Sequence, residues 1–357
     1  MKKDSTAGIG EGRFVGLDIS DKQGTYVVLT VDGRIVDEGK VPMTKVGLDR
    51  CFGPRDACII AIETGTHSPW ISRALKAMAH DVIVANSRQI PLIFRSNRKN
   101  DRLDALSLAK LARLDPELLH PITHRSAKAQ QDLAVLHSRD ALVTSRTALI
   151  NHVRGVVKAI GERLPSCSTE SFVHKVEGKI PSGLKAALIP VLEIVAELTE
   201  RIAGYNREID RLARESYPAA AGLRQVNGVG PLTSLAYVIT LEDPQRFNRS
   251  RDVGPYLGLT PKRDQSGSSD PQLHITRAGD VFLRKLLIEC AHYILGPFAT
   301  DCDLRRWGLR LAGTNSQRAK KRAVAAVARK LAVLLHRLWS TGEVYQPFLQ
   351  GQANTAA

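Results

Sequence analysis

The chain has 357 residues, 43% of them hydrophobic and 24% charged, enough to bury a core and form two or three domains; general disorder is excluded. Its 51 Lys and Arg outweigh 36 Asp and Glu, and the resulting +15 favours a polyanionic partner, because each neutralised phosphate releases condensed counterions. The five cysteines contain no C-x-x-C pair and no apolar run reaches membrane-spanning or signal-peptide form, so a cytoplasmic, membrane-free protein without disulfides or structural zinc is expected.

The first hundred residues read as alternating strands and helices. Phe14–Ile19 is a short apolar strand, and Thr25–Val31 and Arg34–Lys40 flank Asp32-Gly33, a two-residue hairpin signal. Cys58–Ile62 is a β-rich run ending at Glu63, Trp70–Ala79 has helical spacing, and Val82–Ala85 is a further strand. A basic stretch from Arg88 to Asn100 leads into a helix over Asp101–Leu114. Three hairpin-connected strands followed by strand, helix, strand and helix is the order of an α/β ribonuclease-H-like sheet, here residues 1–125.

Residues 126–216 carry two helical patterns. Ile150, Val153, Val157, Ile160 and Leu164 step by threes and fours, as do Val191, Val195, Leu198, Ile202, Tyr205, Ile209 and Leu212. That period is a coiled-coil seam. Pro165 to Gly183 between them cannot continue either helix. An antiparallel hairpin, two arms pairing with another subunit and an ordinary intrachain bundle all remain open. Residues 217–350 read as a mostly α domain of short helices punctuated by Gly and Pro, with a polar loop over Lys262 to Asp270. Its last helical segment holds ten Lys and Arg from Arg305 to Arg337, Lys320, Lys321 and Arg322 among them, and no acid, the pattern of a phosphate-facing surface.

Four carboxylates stand out as a set. Asp18 sits within the first strand near its end, Glu63 ends a later one, and Asp101 and Asp104 lie three apart on one helix face. In a ribonuclease-H-like sheet these side chains converge, and converging carboxylates need a cation between them. Mg²⁺, a hard ion that prefers oxygen ligands, suits them; two such ions about 4 Å apart promote phosphoryl transfer. Arg95, Arg98, Lys99 and Arg102 lie close by in sequence as phosphate contacts. Gly228-Val229-Gly230 has the form of a helix–hairpin–helix turn whose N–H groups would cradle a phosphate.

Gly16-Leu-Asp-Ile-Ser20, Ile62-Glu-Thr-Gly65 and Lys99-Asn-Asp-Arg-Leu-Asp-Ala105 resemble the three acidic motifs of the DEDD insertion-sequence transposases, relatives of the Piv and MooV DNA invertases with a RuvC-like catalytic domain. Leu223 to Thr233, Tyr256-Leu-Gly-Leu-Thr-Pro261, Gln265-Ser-Gly267, Ile275 to Asp280 and Phe282 to Leu287 resemble that family's second conserved domain. Asn227 departs from the proline usual before Gly-x-Gly. The resemblance implies a nucleophilic serine at Ser266, with Ser268 and Ser269 as alternatives, and Lys262, Arg263 and Arg277 nearby to hold phosphate oxygens. It further implies a site composed from both domains and guidance by a structured RNA from the element. Two exchanges require at least two active sites, so a homodimer or homotetramer is expected, with the heptad helices as candidate interfaces and the bacterial nucleoid as the place of action.

The expected function is therefore a transposase or site-specific recombinase that cuts and rejoins DNA. The main alternative is a structure-selective, junction-resolvase-like endonuclease using the carboxylates alone. A sugar-kinase-like or actin-like ATPase would want Gly-rich phosphate loops near Asp18, and none is present. A non-catalytic DNA-binding protein is disfavoured, since four bare carboxylates would repel DNA.

Overall fold

The computed structural model describes residues 12–90, 100–271, 273–313 and 316–348. In the first part of the chain, β1 (Phe14–Asp18), β2 (Gln23–Leu29), β3 (Ile35–Pro42), β4 (Ile59–Glu63) and β5 (Asp81–Ala85) form one sheet in the order β3-β2-β1-β4-β5. β1 and β2 are antiparallel, as are β2 and β3, whereas β1, β4 and β5 run parallel. Helices α1 (Lys45–Phe52), α2 (Ser68–Ala77) and α3 (Asp101–Leu114) accompany it among the described residues.

Strand alternation explains how the helices sit. Val15, Leu17, Ile60, Ile62, Val82 and Val84 bury one face of the sheet with Leu48 and Phe52 of α1 and Ile71 and Leu75 of α2. Phe14, Ile59, Ala61, Ile83 and Ala85 take the other face, against Leu108 and Ala112 of α3. α3 lies hard on the sheet because the facing residues are small. A Cβ built on Gly16 would stand 1.9 Å from the Ala105 carbonyl oxygen and 2.6 Å from the Ala109 nitrogen. Only glycine fits there.

Two details differ from the sequence expectation. The β2–β3 loop has three residues between Thr30 and Arg34, because Arg34 N–H donates to Thr30 Oγ1 while Thr30 N–H donates to the Arg34 carbonyl. Gly33, at φ +83°, takes the left-handed position that such a loop requires. The second is α1, which the pattern missed; Thr44 caps it by accepting from Gly47 N–H at 3.0 Å.

Contacts divide the chain into two units, Met1–Arg125 and Ser126–Ala357. The second opens with α4 (Ala127–Ala159) and, after the short α5 (Phe172–Val176), α6 (Lys185–Glu215). Ser126 caps α4 through its hydroxyl, accepting from Ala129 N–H at 3.1 Å, and its own N–H donates to the Glu242 carboxylate. α4 and α6 pack on each other within the chain. Ile150, Val153 and Val157 meet Leu188, Leu192 and Val195 over buried Phe172, Val176 and Ile180 of the connection. α4 stops at Ala159, short of the expected Ile160 and Leu164, because Gly161 turns left-handed at φ +87° and Ile160 is left exposed.

At the other end of the pair, Ala129, Leu133, Leu136, Ile209, Leu212 and Ala213 enter the core of the C-terminal helices. These are α7 (Ala219–Leu223), α8 (Pro231–Leu241), α9 (Val253–Tyr256), α10 (Val281–Leu295), α11 (Asp303–Ala312) and α12 (Gln317–Thr341). Packing is continuous across residue 216. The basic terminal segment is two helices rather than one, broken at Gly313 with φ +58°. Among the described residues no helix is long and apolar enough to cross a membrane.

Candidate functional site

β1 and β4 are parallel neighbours whose last pair is Leu17 with Ile62. Asp18 and Glu63 are the next residue of each strand, so both stand at the same edge of the sheet. They fall on the α3 face, two residues beyond Gly16 and Ala61. α3 runs antiparallel to β1: Phe14 packs with the cluster holding Leu108 and Ala112, whereas Gly16 meets Ala105 and Ala109. One turn further back, the first turn of α3 brings Asp101 and Asp104 toward that edge. Asn100 starts this helix, its Oδ1 accepting from Arg102 N–H at 2.9 Å.

The strand register brings Asp18 and Glu63 to one edge, with the first turn of α3 on the same face of the sheet. Among the described residues no three His, Cys, Asp or Glu side chains are grouped so as to hold a metal ion. The donor chemistry nevertheless suits a hard divalent cation, being all carboxylate oxygen on rigid elements. Cys58 offers no soft ligand or nucleophile, since burial pushes its thiol up to about 11.

Ser266 lies at the tip of a hairpin in the second unit. Ser266 and Ser269 exchange both backbone hydrogen bonds at 3.0 Å, which leaves Gly267-Ser268 as a two-residue turn. Gly267 has φ +57°, the first central position of a type II′ turn. Further down, Lys262 N–H donates to the His274 carbonyl and Thr276 N–H to the Thr260 carbonyl, both at 2.8 Å. All residues from Pro261 to Pro271 are exposed. A Cβ on Gly267 would meet nothing within 4 Å, so another molecule has open access to the tip. Arg263 is turned along the hairpin, donating to Gln265 Oε1 at 2.7 Å and pairing with Asp270 at 3.7 Å.

A DEDD transposase family model matches residues 15–161, and a second, described as Transposase IS116/IS110/IS902 family, matches residues 220–298. By sequence the chain belongs with the IS110/IS116-family transposases. It is 29% identical over 296 residues to the transposase for insertion sequence element IS1111A of Coxiella burnetii, covering 81% of this chain and 79% of that protein. It is 28% identical over 301 residues to a probable family 20 transposase of Pseudomonas aeruginosa, covering 81% and 86%. With the transposase for insertion sequence element IS1328 of Yersinia enterocolitica it shares 26% over 308 residues, covering 85% and 90%.

Other sequence-predicted residues of this IS110/IS116-family chain fall as follows. Arg95, Arg98 and Lys99 lie outside the described residues. Arg102 is turned to β3, where its Nε donates to both Glu38 carboxylate oxygens at 3.0 and 2.9 Å. Gly228 has φ +90° and packs against Tyr293, whose ring would stand 2.9 Å from an added Cβ. Gly230 caps α8 ahead of Pro231. Arg277 is exposed at φ +55°, a conformation rare for a side chain of its size.

The basic terminal helices sort into two groups. Arg305 donates to the Ile294 and Gly296 carbonyls, Arg306 pairs with Asp301, Lys330 covers Trp307, and Arg337 pairs with Glu343. Lys320, Lys321 and Arg322 instead stand exposed in the first two turns of α12, which has no acid in its first turn. Cations near a helix N-terminus oppose the macrodipole, an arrangement that a bound anion relieves.

Sequence reasoning missed two residues. His67 follows Glu63 by four positions, and its Nε2 meets Asp21 Oδ1 at 3.2 Å while Trp70 Nε1–H donates to its Nδ1 at 3.2 Å. Indole N–H can only donate, so the neutral imidazole carries its proton on Nε2, toward Asp21. The pair links the loops that follow β1 and β4. The second is Arg284, a charged residue inside the apolar run of α10 and only 8% exposed; that interruption was the available signal.

Proposed function

We propose that this chain is a transposase that cleaves and rejoins DNA strands at the ends of an insertion sequence. The observation carrying the reading is the side-by-side placement of Asp18 and Glu63 at the ends of adjacent parallel strands, with the first turn of α3 directed to the same edge. The strand order, central β1 flanked by β2 and β4, supports the ribonuclease-H-like (RuvC-like) assignment. In this reading Asp18, Glu63, Asp101 and Asp104 hold Mg²⁺, which when bound supplies positive charge to the scissile phosphate.

Ser266 is the proposed nucleophile, presented on an exposed turn whose glycine admits a phosphodiester. Its Oγ–phosphorus bond forms as the bond to the departing strand-end oxygen breaks, and the serine proton ends on that oxygen. The phosphoserine link stores the bond energy until an incoming strand-end hydroxyl displaces the serine. Lys262, Arg263 and Arg277 hold phosphate oxygens beside it. Lys320, Lys321, Arg322 and the Gly228–Gly230 turn contact the backbone without reading sequence. Target choice is delegated to a structured RNA, for which the basic charge is permissive, and two exchanges require at least two subunits.

The test incubates the full chain with Mg²⁺, DNA carrying the ends of its element and co-purified nucleic acid. A serine-linked DNA product is expected; Asp18→Ala abolishes cleavage and joining, and Ser266→Ala abolishes the adduct. Cleavage that persists in Ser266→Ala with no adduct in the parent protein would favour the carboxylate-only endonuclease. Recombination that survives Asp18→Ala would remove the carboxylate site.

A further inference from the structure

We infer that Arg284 is the positioning residue of the serine hairpin, an inference that rests on Ser266 being the nucleophile. Arg284 sits in α10 between buried Phe282, Leu283, Leu286 and Leu287. A guanidinium in such surroundings must be hydrogen-bonded. Its Nη1 donates to the Leu257 carbonyl at 3.0 Å and the Ala278 carbonyl at 2.8 Å, with the Asp280 carbonyl at 3.4 Å. Leu257 and Ala278 are the two feet of the hairpin. The chain departs after Leu257 and returns at Arg277, whose N–H donates to the Gly258 carbonyl. One buried cation therefore grips both feet from the core.

The feet leave no room for another device. A Cβ on Gly258 would stand 2.1 Å from the Ala278 oxygen, and one on Gly279 would stand 2.0 Å from the Tyr256 oxygen. Backbone meets backbone. Gly258, Arg277 and Gly279 all hold left-handed φ values, of +66°, +55° and +75°. Non-glycine Arg277 holds that conformation only where its surroundings enforce it. Above the feet Ile275 rests against the core while Pro261 to Pro271 are exposed, so the orientation of Ser266 is referred to the core through this grip and that one side chain. Methionine offers no donor to these carbonyls, whereas the ammonium of a lysine can donate to some of them and is expected to keep part of the grip.

The test compares Arg284→Met and Arg284→Lys in the full chain, in single turnover with Mg²⁺ and saturating DNA carrying the element's ends. Adduct formation is expected to slow about 10²-fold in Arg284→Met and less in Arg284→Lys, as for a reacting atom displaced by about 1 Å. DNA affinity is expected to hold within about twofold, since no group that touches DNA is removed. Hydrogen exchange at Lys262, Ser266, Ser269, Thr276 and Arg277 is expected to speed about tenfold while amides of α8 and α12 keep their protection. A purely structural role would raise exchange throughout the unit. The inference is overturned by wild-type adduct rates in the variants, or by slowing without faster exchange in the hairpin. If Arg284→Met does not fold, Arg284→Lys decides. An adduct that still forms in Ser266→Ala would instead remove the serine assignment, a separate outcome.

Discussion

Substituting Gly16 by alanine adds one methyl group 1.9 Å from the Ala105 oxygen and 2.6 Å from the Ala109 nitrogen, on the seam between β1 and α3. To reach even 3.0 Å, the shortest separation a real Cβ shows, α3 must retreat from the strand by about 1.1 Å, since both obstructing atoms are backbone and cannot rotate away. Overpacking of this kind costs about 1–3 kcal/mol, which lowers the melting temperature by several degrees. The functional effect is expected to be larger. All four carboxylates remain, but Asp101 and Asp104 move with α3 away from Asp18 and Glu63, and a displacement of about 1 Å costs on the order of 10²-fold in rate. The assay is DNA-strand cleavage in Mg²⁺ beside thermal unfolding of the same preparation. Cleavage and melting both unchanged in Gly16→Ala would refute the claim that α3 seats on Gly16 and sets the acidic edge.

Replacing Lys320, Lys321 and Arg322 together by glutamine is expected to weaken DNA binding and flatten its salt dependence, the logarithmic slope falling by about 0.9 for each phosphate that is no longer neutralised, measured by titration at several salt concentrations. An unchanged slope would exclude those side chains from the interface. Burial, with the charges of Arg73, Lys76 and Arg125, holds the His124 imidazole below the ordinary histidine value. Its contribution to stability is therefore complete above that ordinary value and is lost as pH falls from there through the depressed one. The melting temperature is expected to drop between about pH 7 and pH 5, and to drop less in His124→Gln, whereas equal drops would remove His124 as the cause.

The strands were legible because β-branched runs between turn residues admit few other structures, and Asp18, Glu63, Asp101 and Asp104 could be assigned to element ends from sequence. What sequence did not carry was the meeting of distant segments. Gly16 reads as a weak point in a strand until α3 is seen to need its missing side chain. Arg284 stands out as a charge inside an apolar run, but its role did not show, because local periodicity says nothing of carbonyls presented by another stretch of chain. The first half of α4 was missed because its buried seam uses Ala129 beside Leu133 and Leu136, and alanine barely registers as apolar. Ile160 and Leu164 kept the helical period past a point where one left-handed glycine had ended the helix. α1 was too short, at eight residues, to show a period at all.

The boundary at Arg125 and Ser126 has a practical consequence. The cap of α4 belongs to Ser126 itself, and Glu242, which receives its N–H, lies in the same unit. A polypeptide beginning there keeps the Ser126 hydroxyl that caps α4 and the Glu242 carboxylate beside its first nitrogen. The bond between Arg125 and Ser126 is therefore where the chain would be cut to ask whether the proposed acidic edge and serine-bearing turn act when supplied from separate polypeptides.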